Sequence, residues 1–188
     1  MQTAMAPTSI FFVGMMASGK SSVGRYLAER IGWDFYDVDK VIEERTGVPV
    51  SYIFEREGEA GFRVRETRIM AELTARVGVV ISMGGGAPMF EANRKLLKRG
   101  LVVQLVVSVS DVIERTRYDS TRPLLQTADP VARIRSLMLE RGPVYDEVCD
   151  VRVTTSRMNP HMVVDRLLSM EAVKDTIAQG NLVRESGR

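Results

Sequence analysis

Residues Gly14 to Ser21 read Gly-Met-Met-Ala-Ser-Gly-Lys-Ser, a complete G-x-x-x-x-G-K-[ST] pattern. No other stretch limits the possible folds as tightly. A loop of this kind cradles phosphate only when it leaves a strand and opens a helix, so that free backbone N–H groups and the positive end of the helix dipole converge on one point. The flanks fit. Ser9 to Val13 is a short apolar, β-prone run, and Ser22 to Ile31 carries Val23, Tyr26, Leu27 and Ile31 on one helical face. A chance glycine-rich turn is the plainer reading of the eight residues, but it does not explain a strand before them and a helix after them. In the phosphate reading Lys20 faces the β- and γ-phosphates and the Ser21 hydroxyl is available to Mg²⁺.

The rest of the chain supplies a matching frame. Apolar runs at Ile10–Val13, Val79–Met83, Leu101–Val107 and Val151–Thr154 alternate with helical patterns at Ser22–Ile31, Asp39–Thr46, Gly58–Arg76, Pro88–Lys98 and Pro130–Glu147. Short strands alternating with amphipathic helices predict an α/β domain, a parallel sheet covered on both faces. Ligands of such a sheet gather at the carboxyl ends of its strands, where Gly14–Ser21 would lie. The 188 residues suffice for one core. The expected divisions are a tail over 1–8, the domain over 9–168, a polar lid near 117–129 interrupted by Pro123, and a C-terminal extension over 169–188. That extension is read as helical in its first half and frayed from Gln179-Gly180-Asn181 onward.

Composition excludes more than it selects. With Cys149 the lone cysteine, no intrachain disulfide can form, which fits a reducing, cytoplasmic setting. No apolar run reaches the roughly 18 residues of a membrane span, and no secretory leader pattern is seen at the start. A net charge of +2 and 6% aromatic residues give no basic stripe or stacking platform, so no nucleic-acid partner is expected. His161 is the only histidine, which rules out a histidine-rich metal site. Most of the 26 basic residues are arginine, so position rather than count must identify any functional ones.

Further patterns accompany the loop: Tyr36-Asp37-Val38-Asp39 where a second strand would end, Phe62-Arg63, Ser82-Met83-Gly84-Gly85-Gly86, Arg122-Pro123-Leu124-Leu125 and Arg141-Gly142-Pro143-Val144-Tyr145. In this order and spacing they resemble the shikimate kinase family over roughly residues 9–168. The resemblance implies a three-layer, nucleoside-monophosphate-kinase-like P-loop kinase fold with a five-stranded parallel sheet. It also implies transfer of the ATP γ-phosphate to the 3-hydroxyl of shikimate, with Mg²⁺, on the route to chorismate and the aromatic amino acids. ATP and shikimate are then the partners of a monomer. Ser22 stands where many relatives have threonine, which keeps a hydroxyl there, and the C-terminal extension has no placed counterpart.

Carried over residue by residue, the resemblance assigns ATP to Gly14, Met16, Ala17, Ser18, Gly19, Lys20, Ser21 and Ser22. Arg115 is assigned to the adenine face, and Asn159 and Pro160 to the opposite side of the base. Metal falls to Ser21 and Asp37, with Ser82 ordering nearby water. Shikimate falls to Asp39, Arg63, Gly84, Gly85, Gly86 and Arg141. Lys20, Asp39 and Arg122 are the catalytic set: Asp39 takes the proton of the attacking hydroxyl, and Arg122 closes over the γ-phosphate. Glu66, one turn after Arg63, would orient an arginine or bind ligand. Each residue has a plainer role available. Asp39 would cap a helix starting at Lys40, Arg63 would be a solvated helix residue, the glycines would form only a turn, and Pro160 would only start a helix. The enzyme alternative is a gluconate-type kinase of the same fold. The non-enzyme alternative is a nucleotide-binding interaction protein, and Lys20, Asp37, Asp39 and Arg122 argue against it.

Overall fold

A computed structural model describes residues 7–117 and 123–187. Five strands, β1 (Ile10–Val13), β2 (Asp34–Asp37), β3 (Val79–Ser82), β4 (Leu101–Val106) and β5 (Val151–Thr154), form one sheet in the order β2-β3-β1-β4-β5. Every pairing is parallel, with Phe11 beside Ile81 on one side and beside Val102 on the other. Among the described residues eight α-helices cover it: α1 (Lys20–Ile31), α2 (Val38–Thr46), α3 (Val50–Leu73), α4 (Glu91–Leu97), α5 (Val109–Thr116), α6 (Pro130–Val148), α7 (Pro160–Ser169) and α8 (Glu171–Ser186).

The two-residue period of a strand divides the core. Phe11, Val13, Ile81 and Val102 pack with the apolar faces of α2 to α6, while Ile10, Phe12, Val80 and Val103 pack with α1, α7 and α8. The chain moves from β1 toward one edge through β2 and returns through β3, then crosses to the other edge through β4 and β5. The carboxyl end of β1 is therefore the topological switch point where such sheets bind ligands.

The structure departs from the periodicity reading in three places. The long helix starts at Val50, with Pro49 at its N-cap, and runs through Gly58, whose φ of 69° and ψ of −176° break the helical geometry. Reading Gly58 as the helix start missed the turns before it. Pro88 belongs to a 3-10 turn, Ala87–Met89, and extended Phe90 separates this from α4. The C-terminal residues do not fray at Gly180: α8 continues to Ser186. Gly180 lies against Trp33, where an added Cβ would sit 2.5 Å from the indole ring, and Trp33 Nε1 donates to Asn181 Oδ1 at 2.7 Å. A residue that reads as a helix breaker is here the contact that lets α8 dock over the amino ends of the strands, where Arg184 also donates to the carbonyls of Gly32 and Gly78. No helix among the described residues is long and apolar enough to cross a membrane.

Candidate active site

Two adjoining clefts open at the carboxyl end of the sheet. The larger, about 650 Å³, is lined by the phosphate loop, Arg115, Thr155, Met158 and Pro160. The smaller, about 330 Å³, is lined by Phe54, Phe62, Arg63, Gly86, Leu124 and Arg141. Met16, Ser21, Asp37, Asp39, Gly84 and Gly85 line both and form the partition.

The phosphate loop is shaped by its backbone. Gly14 has φ 136°, and a Cβ there would lie 2.5 Å from the Leu105 carbonyl, so only glycine fits as the chain leaves β1. Gly19 ends the loop in the left-handed region, and α1 begins with no side-chain cap, leaving first-turn N–H groups to face a ligand. Lys20 Nζ donates to the carbonyls of Gly14 (2.9 Å) and Met15 (2.7 Å), which folds the ammonium back over the loop. Ala17 takes φ 58°, and its carbonyl accepts from Arg115 Nη1 at 2.9 Å. Arg115 Nη2 reaches the Thr155 carbonyl at 3.4 Å, so one arginine ties the loop to the segment after β5. Ser18, Ser21 and Ser22 all line this cleft. Pro160 does too, but Asn159 caps α7 by accepting from the Met162 N–H at 2.9 Å and is not part of the wall.

Where the clefts meet, Ser21 Oγ donates to Asp37 Oδ2 at 2.5 Å and lies 3.4 Å from Ser82 Oγ. These are hard oxygen donors from three different elements. Among the described residues, no group of three or more His, Cys, Asp or Glu side chains could hold a metal unaided. Ser21, Asp37 and Ser82 could together hold a divalent cation whose remaining ligands are phosphate and water.

Asp37, not Asp39, caps α2: its Oδ1 accepts from the N–H groups of Asp39 (3.1 Å) and Lys40 (3.4 Å). The helix starts at Val38, so Asp39 lies in its first turn and the capping role considered for it falls to its neighbour. Asp39 Oδ1 is instead buried without a hydrogen-bond partner among the described residues. Burial, reinforced by the Asp37 charge, pushes its carboxyl up to about 6.

The smaller cleft is built on buried charge. Arg63 and Arg141 are 7% and 4% exposed, far from the solvated helix positions that charged residues usually take. Arg63 donates to Glu66 Oε2 (2.7 Å) and Glu59 Oε1 (2.8 Å) and stacks against the Phe62 and Phe90 rings. Arg141 Nε and Glu66 Oε1 are buried without hydrogen-bond partners among the described residues. Desolvation dominates at Glu66 and drives its carboxyl up to about 7, with Arg63 opposing. The glycine corner is narrow: a Cβ on Gly86 would collide with Arg63 Nη2, and one on Gly84 with Glu66 Oε1. Turn geometry alone does not account for it; these residues are small because charged groups press on them.

Most of the predicted site residues therefore converge. Arg122 lies outside the described residues. The sequence reading missed the apolar wall of Val50 and Phe54, because it placed the start of α3 too late. It also missed Thr155 and Met158, which carry no motif.

A family model described as shikimate kinase matches residues 16–171. The chain is 52% identical over 163 residues to a shikimate kinase of Halorhodospira halophila, covering 86% of this chain and 92% of that one. It is 50% identical to one of Thiobacillus denitrificans, covering 80% and 83%. Among solved structures, a shikimate kinase from Acinetobacter baumannii in complex with shikimate matches with a TM-score of 0.84 and 42% identity, over 88% of this chain and 92% of that one. A gluconokinase from Sinorhizobium meliloti, at 22% identity and a TM-score of 0.56, shares the fold alone. Five parallel strands between two helical layers, a phosphate loop at the switch point and these matches together show that the chain belongs to the shikimate kinase family.

Proposed function

We propose that the protein transfers the γ-phosphoryl group of ATP to the 3-hydroxyl of shikimate, giving shikimate 3-phosphate and ADP in aromatic amino acid biosynthesis. The observation that carries this reading is the buried pair Arg63 and Arg141, behind a glycine corner directly adjoining the phosphate loop. A small cyclic acid with hydroxyls complements that cleft: its carboxylate answers the two guanidiniums, and its ring hydroxyls face Asp39. The A. baumannii relative, similar over most of the chain, is in complex with that acid.

Phosphoryl transfer depends on positioning and charge neutralisation. The N–H groups of the loop and of the start of α1, together with the Lys20 ammonium, hold the β- and γ-phosphates. Arg115 braces the loop beside the base. Ser21 and Asp37 would hold Mg²⁺, which when bound neutralises phosphate charge. On the other side Arg63, Arg141 and the Gly84–Gly86 backbone fix the acceptor, so that its 3-oxygen bonds to the γ-phosphorus as the bond to the ADP oxygen breaks. Asp39 receives the hydroxyl proton. A carboxyl held near 6 accepts a proton in the neutral range more readily than an ordinary aspartate. Arg122 is assigned to the charge on the transferring group.

The test is to incubate the protein with ATP, Mg²⁺ and shikimate and locate the phosphate by phosphorus–proton coupling in the product. Coupling to the ring proton at carbon 3, with one ADP per product, is expected. No product, or phosphate on another oxygen, would overturn the reading.

A further inference from the structure

α6 delivers two side chains to the glycine corner. Arg141 and Tyr145 are four residues apart and so share a face of the helix. Arg141 Nη1 comes within 3.4 Å of the place a Cβ would take on Gly85, and the Tyr145 hydroxyl donates to the Gly85 carbonyl at 2.5 Å. Tyr145 is 2% exposed, and its hydroxyl also lies 3.9 Å from the Met15 sulfur in the phosphate loop. Gly85 in turn touches that loop: its Cβ position is 3.5 Å from the Gly14 carbonyl and 3.6 Å from the Met16 nitrogen. Burial pushes the phenol up to about 12, with Arg141 opposing, so the hydroxyl stays protonated and remains a donor across the working range.

An aromatic residue in a core is ordinarily packing. Packing accounts for the ring here but not for the hydroxyl, which a phenylalanine would lack without loss of apolar contact. Gly85 has no side chain to anchor it, and its carbonyl shares one rigid peptide plane with the Gly86 N–H, so tying that carbonyl sets the direction of the Gly86 N–H. Resting on the shikimate kinase reading above, we infer that Tyr145 is a positioning residue for the acceptor: its hydroxyl pins the Gly85 carbonyl and so fixes the backbone against which the acceptor ring sits.

The test is Tyr145→Phe with both substrates varied. The expected result is a shikimate KM raised about fivefold to tenfold, the change in affinity that loss of one good hydrogen bond produces, with the ATP KM within about twofold. A purely structural tyrosine would lower stability and active fraction while leaving both KM values alone. Unchanged constants, or equal increases in both, would overturn the inference. Assays are run well below the variant's melting temperature. Should Tyr145→Phe fail to fold, 3-fluorotyrosine introduced at 145 keeps the ring and makes a stronger donor. The shikimate KM should then fall while the ATP KM holds, and no change would count against the role. A wild-type protein with no turnover on shikimate would refute the proposed function instead. Calorimetric binding of shikimate to wild type and variant then still decides the tyrosine: weaker binding to the variant supports the role, and equal or absent binding refutes it.

Discussion

The two clefts meet at Asp37, Asp39 and Gly84, yet they are built by opposite means. The phosphate side is a backbone device. Contiguous residues, two glycines in left-handed geometry and an uncapped helix start aim N–H groups at one point, and the loop's own buried charge, Lys20, rests on the loop's carbonyls. The acceptor side is a side-chain device. α2, α3, the turn after β3 and α6 each send in one or two groups, and four of these, Asp39, Glu66, Arg63 and Arg141, are ionisable groups held largely out of water. Removing charges from water is costly unless they are paired and hydrogen-bonded. Here the pairing is incomplete, since Asp39 Oδ1, Glu66 Oε1 and Arg141 Nε lack partners among the described residues. A polyhydroxy acid supplies the acceptors and donors they lack. The lesson is that a phosphate site can be complete before its ligand arrives, whereas an acceptor site of buried charges is completed by the ligand.

That contrast can be broken first at Lys20. Lys20→Ala should cut kcat by roughly 10³-fold, the scale of losing one preorganised charge at the transition state, with an unchanged circular dichroism spectrum. Near-normal turnover would place the phosphates elsewhere. Next is Arg141→Ala, which should raise the shikimate KM about 30-fold to 100-fold, as expected for a charged hydrogen bond, and leave the ATP KM nearly unmoved. Equal effects in steady-state kinetics would erase the division between the clefts.

Glu66→Gln probes the cost of buried charge. The Glu66 carboxyl is raised from 4.5 to about 7 in the fold, so its stabilising share is present below its unfolded value and is lost as pH rises through about 7. In melting experiments without ligand, wild type should therefore lose more stability than Glu66→Gln between about pH 5 and pH 8. Parallel curves would show that Glu66 is charged throughout. The smallest effect on catalysis is expected at the opposite end of the sheet. Gly180→Ala should press on Trp33 and lower the melting temperature by roughly 3–8 °C, while kcat and both KM values stay within about twofold. A large loss of activity would mean that α8 is coupled to the site.

The same contrast explains what could be read from the amino-acid sequence. The phosphate loop was legible because its parts are adjacent. Four strands were legible as apolar runs, Leu101–Val106 most clearly because it is buried on both faces of a parallel sheet, whereas the half-exposed edge strand Asp34–Asp37 was placed only through the Tyr36–Asp39 pattern. Arg63 and Arg141 were legible only through the patterns around them, since nothing in an arginine announces that it is 7% or 4% exposed. Asp37 and Asp39 exchanged one expected role, because which of two alternating carboxylates caps a helix depends on where the first helical residue falls, here Val38. Tyr145 was read only as part of a motif: its hydrogen bond to Gly85 spans 60 positions and leaves no local trace. Gly180 was misread for the same reason, since its partner Trp33 is far away in the chain.

The smaller cleft, with Arg63 and Arg141 buried in its wall, is shaped to select one cyclic hydroxy acid and present it to the phosphate loop. The most direct measurement is ADP release with ATP and Mg²⁺ in the presence of shikimate, quinate, gluconate or no acceptor. Strong stimulation by shikimate alone is predicted. Stimulation by gluconate to the same degree, or none by any acid while ATP still binds, would contradict the account.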